Sequence, residues 1–227
     1  SDGSVAFVKN LYPKIKIMEN DVNNYCRANN LGIRHSEGKY TALLNNDTKV
    51  DKDRLVELVK VGESGKRVGA VGSKILLMDG KIHSVGHVEF PYFYWGDEGF
   101  LEEDCRQYDE VKQIGSISNC SVLYTKSALK QAGVFDEDFV MYMEDVDMVF
   151  RLKEKGWSVW YAPQSIVSHR LHGSQQPPEE RRFYAERNRL LFIAKHFPDK
   201  LPETISGFGE IFKSKPEILE KYQARWK

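Results

Sequence analysis

The sequence predicts an α/β fold in which a mostly parallel sheet carries helices on both faces, and three observations support this prediction. Short apolar segments rich in β-branched residues alternate with segments whose apolar residues recur at helical spacing. The order β-α-β-α-β in the first part of the chain is the one that produces parallel strands joined by crossover helices. Hydrophobic residues make up 41% of the 227 residues and charged residues 29%, which is ordinary for a globular protein.

The helices are predicted from segments that show amphipathic spacing and end near residues that stop helices. Leu55, Leu58 and Val59 fall on one face of the third helix, and glycines at positions 38, 133 and 156 follow the second, fourth and fifth. The predicted ranges are 5–11, 23–35, 51–62, 126–132 and 144–155. From residue 177 onward the pattern is again helical, with breaks at Pro198 and near residues 207–209.

The strands are predicted from short apolar runs bounded by turn residues. They cover residues 15–18, 40–44, 68–77, 121–124, 157–161 and 165–169, with a turn at Pro163 between the last two. Residues 90–96 are aromatic and turn-rich, and this predicts a long loop, a kind of segment that often carries function. The aromatic residues from Tyr92 to Trp95 are of a type that stacks on sugar rings, but they are equally consistent with core or interface packing.

Composition and charge restrict the class of protein. We predict one α/β domain over residues 1–175 and a C-terminal helical appendage over residues 176–227. Lys and Arg number 33, as do Asp and Glu, and this neutral balance argues against nucleic acid as the main ligand. No apolar run approaches the roughly 18 residues of a membrane span, and no apolar segment typical of a secretory signal opens the chain. The wide spacing of Cys26, Cys105 and Cys120 favours free thiols in a reducing compartment, and we expect a cytoplasmic protein.

Asn45-Asn46-Asp47 directly follows the predicted strand 40–44. Ligands of open α/β sheets bind beyond the carboxyl ends of the strands, so this segment lies where a site is expected. A carboxylate there is a suitable ligand for a hard cation such as Mg²⁺ or Mn²⁺, with phosphate oxygens and water completing the shell. The alternative is an ordinary turn, for which Asn and Asp are common residues.

A second motif combines six acids with aromatic residues between positions 135 and 147. Glu144 and Asp145 open a predicted helix, whose dipole favours an ionised carboxylate, and such a carboxylate in a closed cleft is a usable general base. The alternative interpretation is helix capping, together with an ion pair between Asp147 and Arg151 at i,i+4 spacing. Capping explains one or two acids but not the aromatic residues among them.

Two further motifs lie near the end of the chain. His169 ends an apolar strand, where a histidine is usually structural but where a neutral imidazole is also able to complete a metal site; the case for His172 is weaker. Arg187 and Arg189 are suited to holding a diphosphate or an acidic acceptor. Together with Lys195, His196 and apolar neighbours they also fit a basic amphipathic surface for peripheral membrane contact. The alternative is a helix packed on the domain with its cations in solvent.

Taken together, these motifs resemble the inverting nucleotide-sugar glycosyltransferases of family two, which have the GT-A fold. The branch that the chain resembles is that of the rhamnosyltransferase-like enzymes of bacterial polysaccharide and O-antigen assembly. The matching segments are residues 1–4, 20–32, 43–48, 133–139 and 144–147, with His169 at the place of a late metal-binding histidine.

The chain also departs from the family pattern. Asn45 stands where the family often has an acid, and Asn24 and Asn119 stand where glycine is usual. The family's opening strands, which hold the nucleotide, are not found before Ser1-Asp2-Gly3-Ser4. We therefore expect an N-terminally shortened domain that binds nucleotide poorly.

The resemblance implies roles for individual residues. Asp47 and His169 would bind Mg²⁺ or Mn²⁺, Asp145 would be the general base, Glu144 would hold the acceptor hydroxyl or orient the base, and Asp147 would support it. The residues expected to contact the nucleotide-sugar are Asn45, Arg27, Asn30 and Arg187.

The implied donor is a UDP- or dTDP-linked sugar, and the implied acceptor is a glycan or a lipid-linked saccharide. Two other functions remain open from the residues. One is a non-catalytic domain that binds saccharide or a partner, and the other is a metal-dependent phosphoesterase built from Asp47, Asp145, Asp147 and His169.

Overall fold

The computed structural model describes residues 3–65, 67–171, 173 and 177–206. Its α-helices are α1 (Ser4–Leu11), α2 (Tyr25–His35), α3 (Arg54–Glu63), α4 (Lys126–Ala132), α5 (Glu144–Glu154) and α6 (Pro178–His196). Its strands are β1 (Tyr40–Leu44), β2 (Thr48–Val50), β3 (Val68–Leu77), β4 (Ile82–Ser84), β5 (His87–Phe90), β6 (Tyr94–Asp97), β7 (Lys112–Gln113), β8 (Ser121–Thr125) and β9 (Ser158–His169). Ser1, Asp2, His172 and residues 207–227 lie outside the described part.

The central sheet has the strand order β1-β8-β3-β9-β2, with β4 beside β3 and β7 beside β9, and β5 and β6 form a separate hairpin. The predicted α/β class is confirmed, but the sheet is mixed rather than mostly parallel. Strands β1, β3 and β9 point the same way, as crossover helices require, whereas β8 lies between β1 and β3 and is antiparallel to both. The chain enters β8 at the edge where β1 leaves the sheet, since the amide of Asn45 donates to the carbonyl of Cys120 (2.9 Å), so β8 has to run in the opposite direction.

Helices cover both faces of this sheet, as predicted. Alternate residues of a strand point to opposite faces, and Leu123 of β8 packs in one buried cluster with Leu58 of α3. Its neighbour Tyr124 belongs to a larger cluster on the other face, which contains residues of α2, α4, α5 and α6. The polar motifs lie at the sheet edge that is formed by the carboxyl ends of β1, β3 and β9.

Three local predictions were wrong. Residues 15–18 are not a strand: Ile15 is 55% exposed, so this short run has no apolar contact to hold it in a sheet. Residues 157–161 and 165–169 belong to the single strand β9, because residues 163–165 form a bulge, a place where strands tolerate proline. Residues 90–96 are not a long loop but the turn and second strand of the β5–β6 hairpin.

The described part of the predicted appendage, residues 177–206, packs on the domain through α6. Phe192 and Ile193 are fully buried in the larger core cluster, beside Phe139 and residues of α5. The domain boundary at residue 175 stays a prediction. None of the helices in the described part is both long enough and apolar enough to cross a bilayer.

Candidate active site

Asp47 and His169 are brought together by the sheet. The turn after β1 leads into β2, and Thr48 of β2 pairs directly with His169 at the end of β9. Oδ1 of Asp47 lies 3.1 Å from Nε2 of His169. Burial lowers the pKa of His169, and the nearby carboxylate of Asp47 opposes that shift. The imidazole is therefore mainly neutral near pH 7, the form in which histidine is a metal ligand.

These two side chains fit a divalent cation. Oδ1 of Asp47 is buried, and apart from its 3.1 Å contact with Nε2 of His169 no described residue offers it a well-aligned hydrogen bond, although buried polar atoms are normally satisfied. A cation beside Oδ1 and Nε2 would supply what is missing. No group of three or more His, Cys, Asp or Glu side chains in the described ranges is arranged to hold a metal. The pair therefore fits a cation that takes most of its ligands from phosphate and water, as Mg²⁺ does.

The segment that follows β9 packs against Asp47. The amide of Arg170 donates to the carbonyl of Asp47 (2.9 Å). A Cβ atom at Gly173 would lie 2.8 Å from Oδ2 of Asp47 and 2.9 Å from its Cβ, closer than real Cβ contacts, so this position requires glycine. In the sequence motif around His169, the histidines were considered as site residues. The role of Gly173 in shaping the site was not predicted.

Glu144 and Asp145 stand at the start of α5, after a strained turn. Val140, Tyr142 and Met143 all have left-handed backbone angles (φ 64°, 67° and 65°), an arrangement that is costly for residues with side chains. Burial and the neighbouring Asp145 raise the pKa of Glu144 to about 8. Glu144 is thus mostly protonated at neutral pH, and the side chain of Asp145 beside it is 15% exposed.

An amide–phenol network connects Glu144 with the turn that carries Asp47. Nδ2 of Asn119 donates to Oε1 of Glu144 (3.2 Å), and the hydroxyl of Tyr124 donates to Oδ1 of Asn119 (2.7 Å). The hydroxyl of Tyr25 lies 3.3 Å from both Oδ1 of Asn45 and the carbonyl oxygen of Asn119. Two asparagines that depart from the family pattern are therefore linked to each other in this chain.

Sequence reasoning missed three buried residues between the two halves of the site: His83, His87 and Asp97. Nδ1 of His83 lies 3.1 Å from Nδ1 of His169, and the two rings are stacked with centroids 5.0 Å apart. Nε2 of His87 lies 3.3 Å from Oδ1 of Asp97 and 4.0 Å from Oδ2 of Asp145. The signal in the sequence was a pair of histidines four residues apart in a short apolar segment.

The predicted cofactor residues Arg27, Asn30 and Arg187 are not gathered at this edge of the sheet. Arg27 pairs with Asp21 on the surface (2.8 Å). The fully buried Asn30 donates to the carbonyl of Phe135 and accepts from its amide, both at 2.8 Å. Arg187 donates to the carbonyls of residues 138 and 139. Their contacts with nucleotide-sugar stay predictions, and in this structure Asn30 and Arg187 hold the segment that precedes Glu144.

The basic residues of α6 are largely turned into the protein. Arg189 is only 4% exposed and donates to the carbonyl of Tyr92 (2.9 Å). Lys195 and His196 both contact the carboxylate of Asp147, which is completely buried. Arg189 is therefore buried and His196 half-buried, whereas Lys195 stays exposed beside Asp147, and peripheral membrane contact stays a prediction.

Asn188 of α6 fixes the strained turn before Glu144. Its Nδ2 donates to the carbonyls of Phe139 (2.7 Å), Met141 (2.6 Å) and Tyr142 (2.7 Å). We expect Asn188→Ala to lower the free energy of unfolding by about 1–3 kcal/mol, because it leaves buried carbonyls without a donor. Urea unfolding measures this, with the exposed helical Asn10→Ala as control, where we expect a change within about 0.5 kcal/mol. Equal values for the two variants would contradict the assignment.

Comparison with known proteins agrees with this architecture and with these motifs. Residues 1–131 match glycosyl transferase family 2, so the chain belongs to that family. The predicted family and the predicted glycosyltransferase class are thereby confirmed.

Two curated relatives and one solved structure show how far the similarity extends. The chain is 30% identical over 119 residues to the N-acetylglucosaminyl-diphospho-decaprenol L-rhamnosyltransferase of Mycobacterium tuberculosis, covering 52% of this chain and 38% of that protein. It is 28% identical over 160 residues to an O-antigen biosynthesis protein of Myxococcus xanthus, covering 67% of this chain and 12% of that protein. The chain thus spans well under half of either relative.

The structural similarity concerns the fold. A mannosyltransferase from Pyrobaculum calidifontis, in complex with GDP-Man and Mn²⁺, superposes with a TM-score of 0.60 at 16% identity, covering 99% of this chain and 61% of that one. At this level of identity the superposition establishes a shared architecture, and it confirms the GT-A fold expected from the sequence.

Proposed function

We propose that this chain carries the catalytic centre of a metal-dependent inverting glycosyltransferase. The enzyme would move a sugar from a UDP- or dTDP-linked donor to a saccharide or lipid-linked acceptor in polysaccharide or O-antigen synthesis. The observation that carries the proposal is that the Asp47–His169 pair and the adjacent carboxyl groups of Glu144 and Asp145 are joined by one connected set of buried polar contacts. The names of the mycobacterial and Myxococcus relatives support the class of product.

Asp47 and His169 would hold the cation. A bound Mg²⁺ or Mn²⁺ would neutralise the charge that develops on the leaving diphosphate. The Mn²⁺ and GDP-Man in the mannosyltransferase complex support this choice of cofactor. Gly173 and the amide of Arg170 keep Asp47 in place, so the ligand oxygen is oriented before the cation arrives.

Asp145 would act as the base. Its carboxylate takes the proton from the acceptor hydroxyl as that oxygen forms a bond to the anomeric carbon and the bond to the diphosphate breaks on the opposite face, which inverts the centre. Glu144, protonated and buried, donates a hydrogen bond to the acceptor and does not compete for the proton. A positioned base contributes about 10²–10⁴-fold to such a step.

We place this reaction in the cytoplasm, with lipid-linked acceptors reached from the inner face of the membrane. Cys26, Cys105 and Cys120 are all free thiols. Free cysteines are usual in a reducing compartment, and this supports the location.

Titration of nucleotide in the presence of Mn²⁺ tests the cation site. We expect UDP or dTDP to bind in a Mn²⁺-dependent manner, and Asp47→Asn to weaken that binding about tenfold or more, because the amide removes the charged ligand. Isothermal titration calorimetry measures both affinities. The exposed Asp53→Asn is the matched control and should bind like the wild type. Binding that is independent of Mn²⁺, or unchanged in Asp47→Asn, would refute the assignment of this site.

A further inference from the structure

We propose that His87 is a positioning residue for the base: its Nε2 faces Oδ2 of Asp145 at 4.0 Å, and Asp97 and Ser116 orient the imidazole. This inference rests on the proposed role of Asp145. His87 would act on the reaction by orienting the carboxylate of Asp145.

His87 is held by its main chain and contacted at both ring nitrogens. His87 begins β5, and its amide donates to the carbonyl of Ser116 (2.9 Å). Nδ1 of His87 lies 3.3 Å from Oγ of Ser116. Asp97 is the direct cross-strand partner of His87 in the β5–β6 hairpin, and its Oδ1 lies 3.3 Å from Nε2. The ring therefore has one defined orientation, with Nε2 directed toward Asp97 and Asp145.

The hydrogen-bond directions follow from these contacts. When the Ser116 hydroxyl donates to Nδ1, the ring hydrogen is on Nε2, where it faces the carboxylates of Asp97 and Asp145. Nε2 of His87 and Oδ2 of Asp145 are 4.0 Å apart, longer than a hydrogen bond, and the proposal requires this distance to shorten when an acceptor binds, as catalytic hydrogen bonds often do. A carboxylate that orients an imidazole, which in turn orients a reacting group, is a general arrangement in enzymes.

The second oxygen of Asp145 is fixed by the main chain. Oδ1 of Asp145 accepts from the amide of Val146 (2.9 Å). With Oδ1 held by α5, Oδ2 is directed toward His87, and a hydrogen bond there would fix the rotation of the carboxylate. An enzyme loses activity when its catalytic side chains are not held within narrow geometric limits, and positioning groups provide that restraint.

The burial of the His87–Asp97 pair indicates that the pair has a role other than packing. The side chains of His87 and Asp97 are only 7% and 2% exposed. Burying an ionisable pair costs desolvation, and apolar residues of similar volume would stabilise a hairpin at least as well. An apolar pair at these two positions would not be able to orient Asp145, and this is the role that we assign to the His87–Asp97 pair.

The test compares two amides at position 87. In His87→Gln the side-chain nitrogen reaches the place of Nε2, whereas in His87→Asn it reaches only the place of Nδ1. The assay follows release of nucleoside diphosphate from a panel of UDP- and dTDP-sugars, and calorimetry follows binding of UDP and dTDP. We expect His87→Asn to lower kcat about 10–100-fold with KM for the donor and nucleotide affinity unchanged, and His87→Gln to stay within about threefold of the wild type.

Several outcomes would overturn the proposal: a wild-type kcat in His87→Asn, an equal loss in both variants, or a change in KM and nucleotide binding in place of kcat. An equal loss would mean that the ring contributes packing only. If His87→Asn does not fold, Asp97→Asn serves instead, with the same expected fall in kcat and unchanged nucleotide binding; an unchanged kcat there would overturn it equally. Asp145→Asn is assayed in parallel to distinguish the role of His87 from the role of Asp145. Turnover that survives in Asp145→Asn would refute the proposed base itself.

Discussion

Asp145→Asn is expected to lower kcat for sugar transfer by about 10²–10⁴-fold while the affinity for UDP or dTDP stays unchanged. The amide keeps the shape of the side chain and its contact with the amide of Val146, but it cannot accept the acceptor's proton. Burial, the largest cause of the raised pKa of Glu144, persists in the variant and continues to favour its protonated form, so Glu144 is not expected to replace Asp145 as the base. Release of nucleoside diphosphate measures kcat, and calorimetry measures nucleotide binding.

The exposed Asp138→Asn, in the same acidic segment, is the matched control for this variant and should retain full activity. Two results would contradict the role of Asp145. Full transfer in Asp145→Asn would mean that another group is the base, and loss of nucleotide binding would mean that Asp145 serves the donor.

Asp147→Asn is expected to lower the free energy of unfolding by about 3–5 kcal/mol, since removing one partner of a buried ion pair leaves charge without compensation. The carboxylate is completely buried and lies 2.9 Å from Nε of Arg151, 2.9 Å from Nζ of Lys195 and 2.8 Å from Nε2 of His196. For a chain of this size, each kcal/mol lowers Tm by roughly 2–4 °C, so the expected decrease is about 6–20 °C.

Thermal and urea unfolding measure the effect of Asp147→Asn. Glu154→Gln, at an exposed position of the same helix α5, is the control and should stay within about 0.5 kcal/mol of the wild type. A Tm for Asp147→Asn equal to that of the control would mean that the three cations do not depend on this carboxylate. The predicted supporting role of Asp147 in catalysis would then have to be tested separately.

The sequence predicted the two ends of the site because they follow strand and helix boundaries. Asp47 comes directly after β1, His169 ends β9, and Asp145 opens α5, and such boundaries are visible in the hydrophobic pattern. Their closeness in space follows from the rule that strand ends share one edge of the sheet. The α/β class and most helix bounds were accessible for the same reason.

The middle of the site was not predictable in this way. His83 lies on β4, and His87 and Asp97 lie on the two strands of the β5–β6 hairpin; the pairing of these short strands depends on tertiary contacts. Residues 90–96 resembled a loop because aromatic and turn residues dominate there. The direction of β8 was missed because it depends on where the chain re-enters the sheet. The contacts of Asn30 and Asn188 with backbone far away in sequence leave no local pattern to detect.

The attachment of α6 has a consequence for regulation. Asn188 holds the backbone just before Glu144, and Lys195 and His196 hold Asp147 just after it, so the docking of α6 and the order of the catalytic turn are parts of one equilibrium. By thermodynamic reciprocity, a substrate that requires the ordered turn strengthens the docking of α6, and anything that pulls α6 away weakens substrate binding by the same factor. Helix α6 would therefore be a point at which contacts outside the candidate site change its affinity for a substrate.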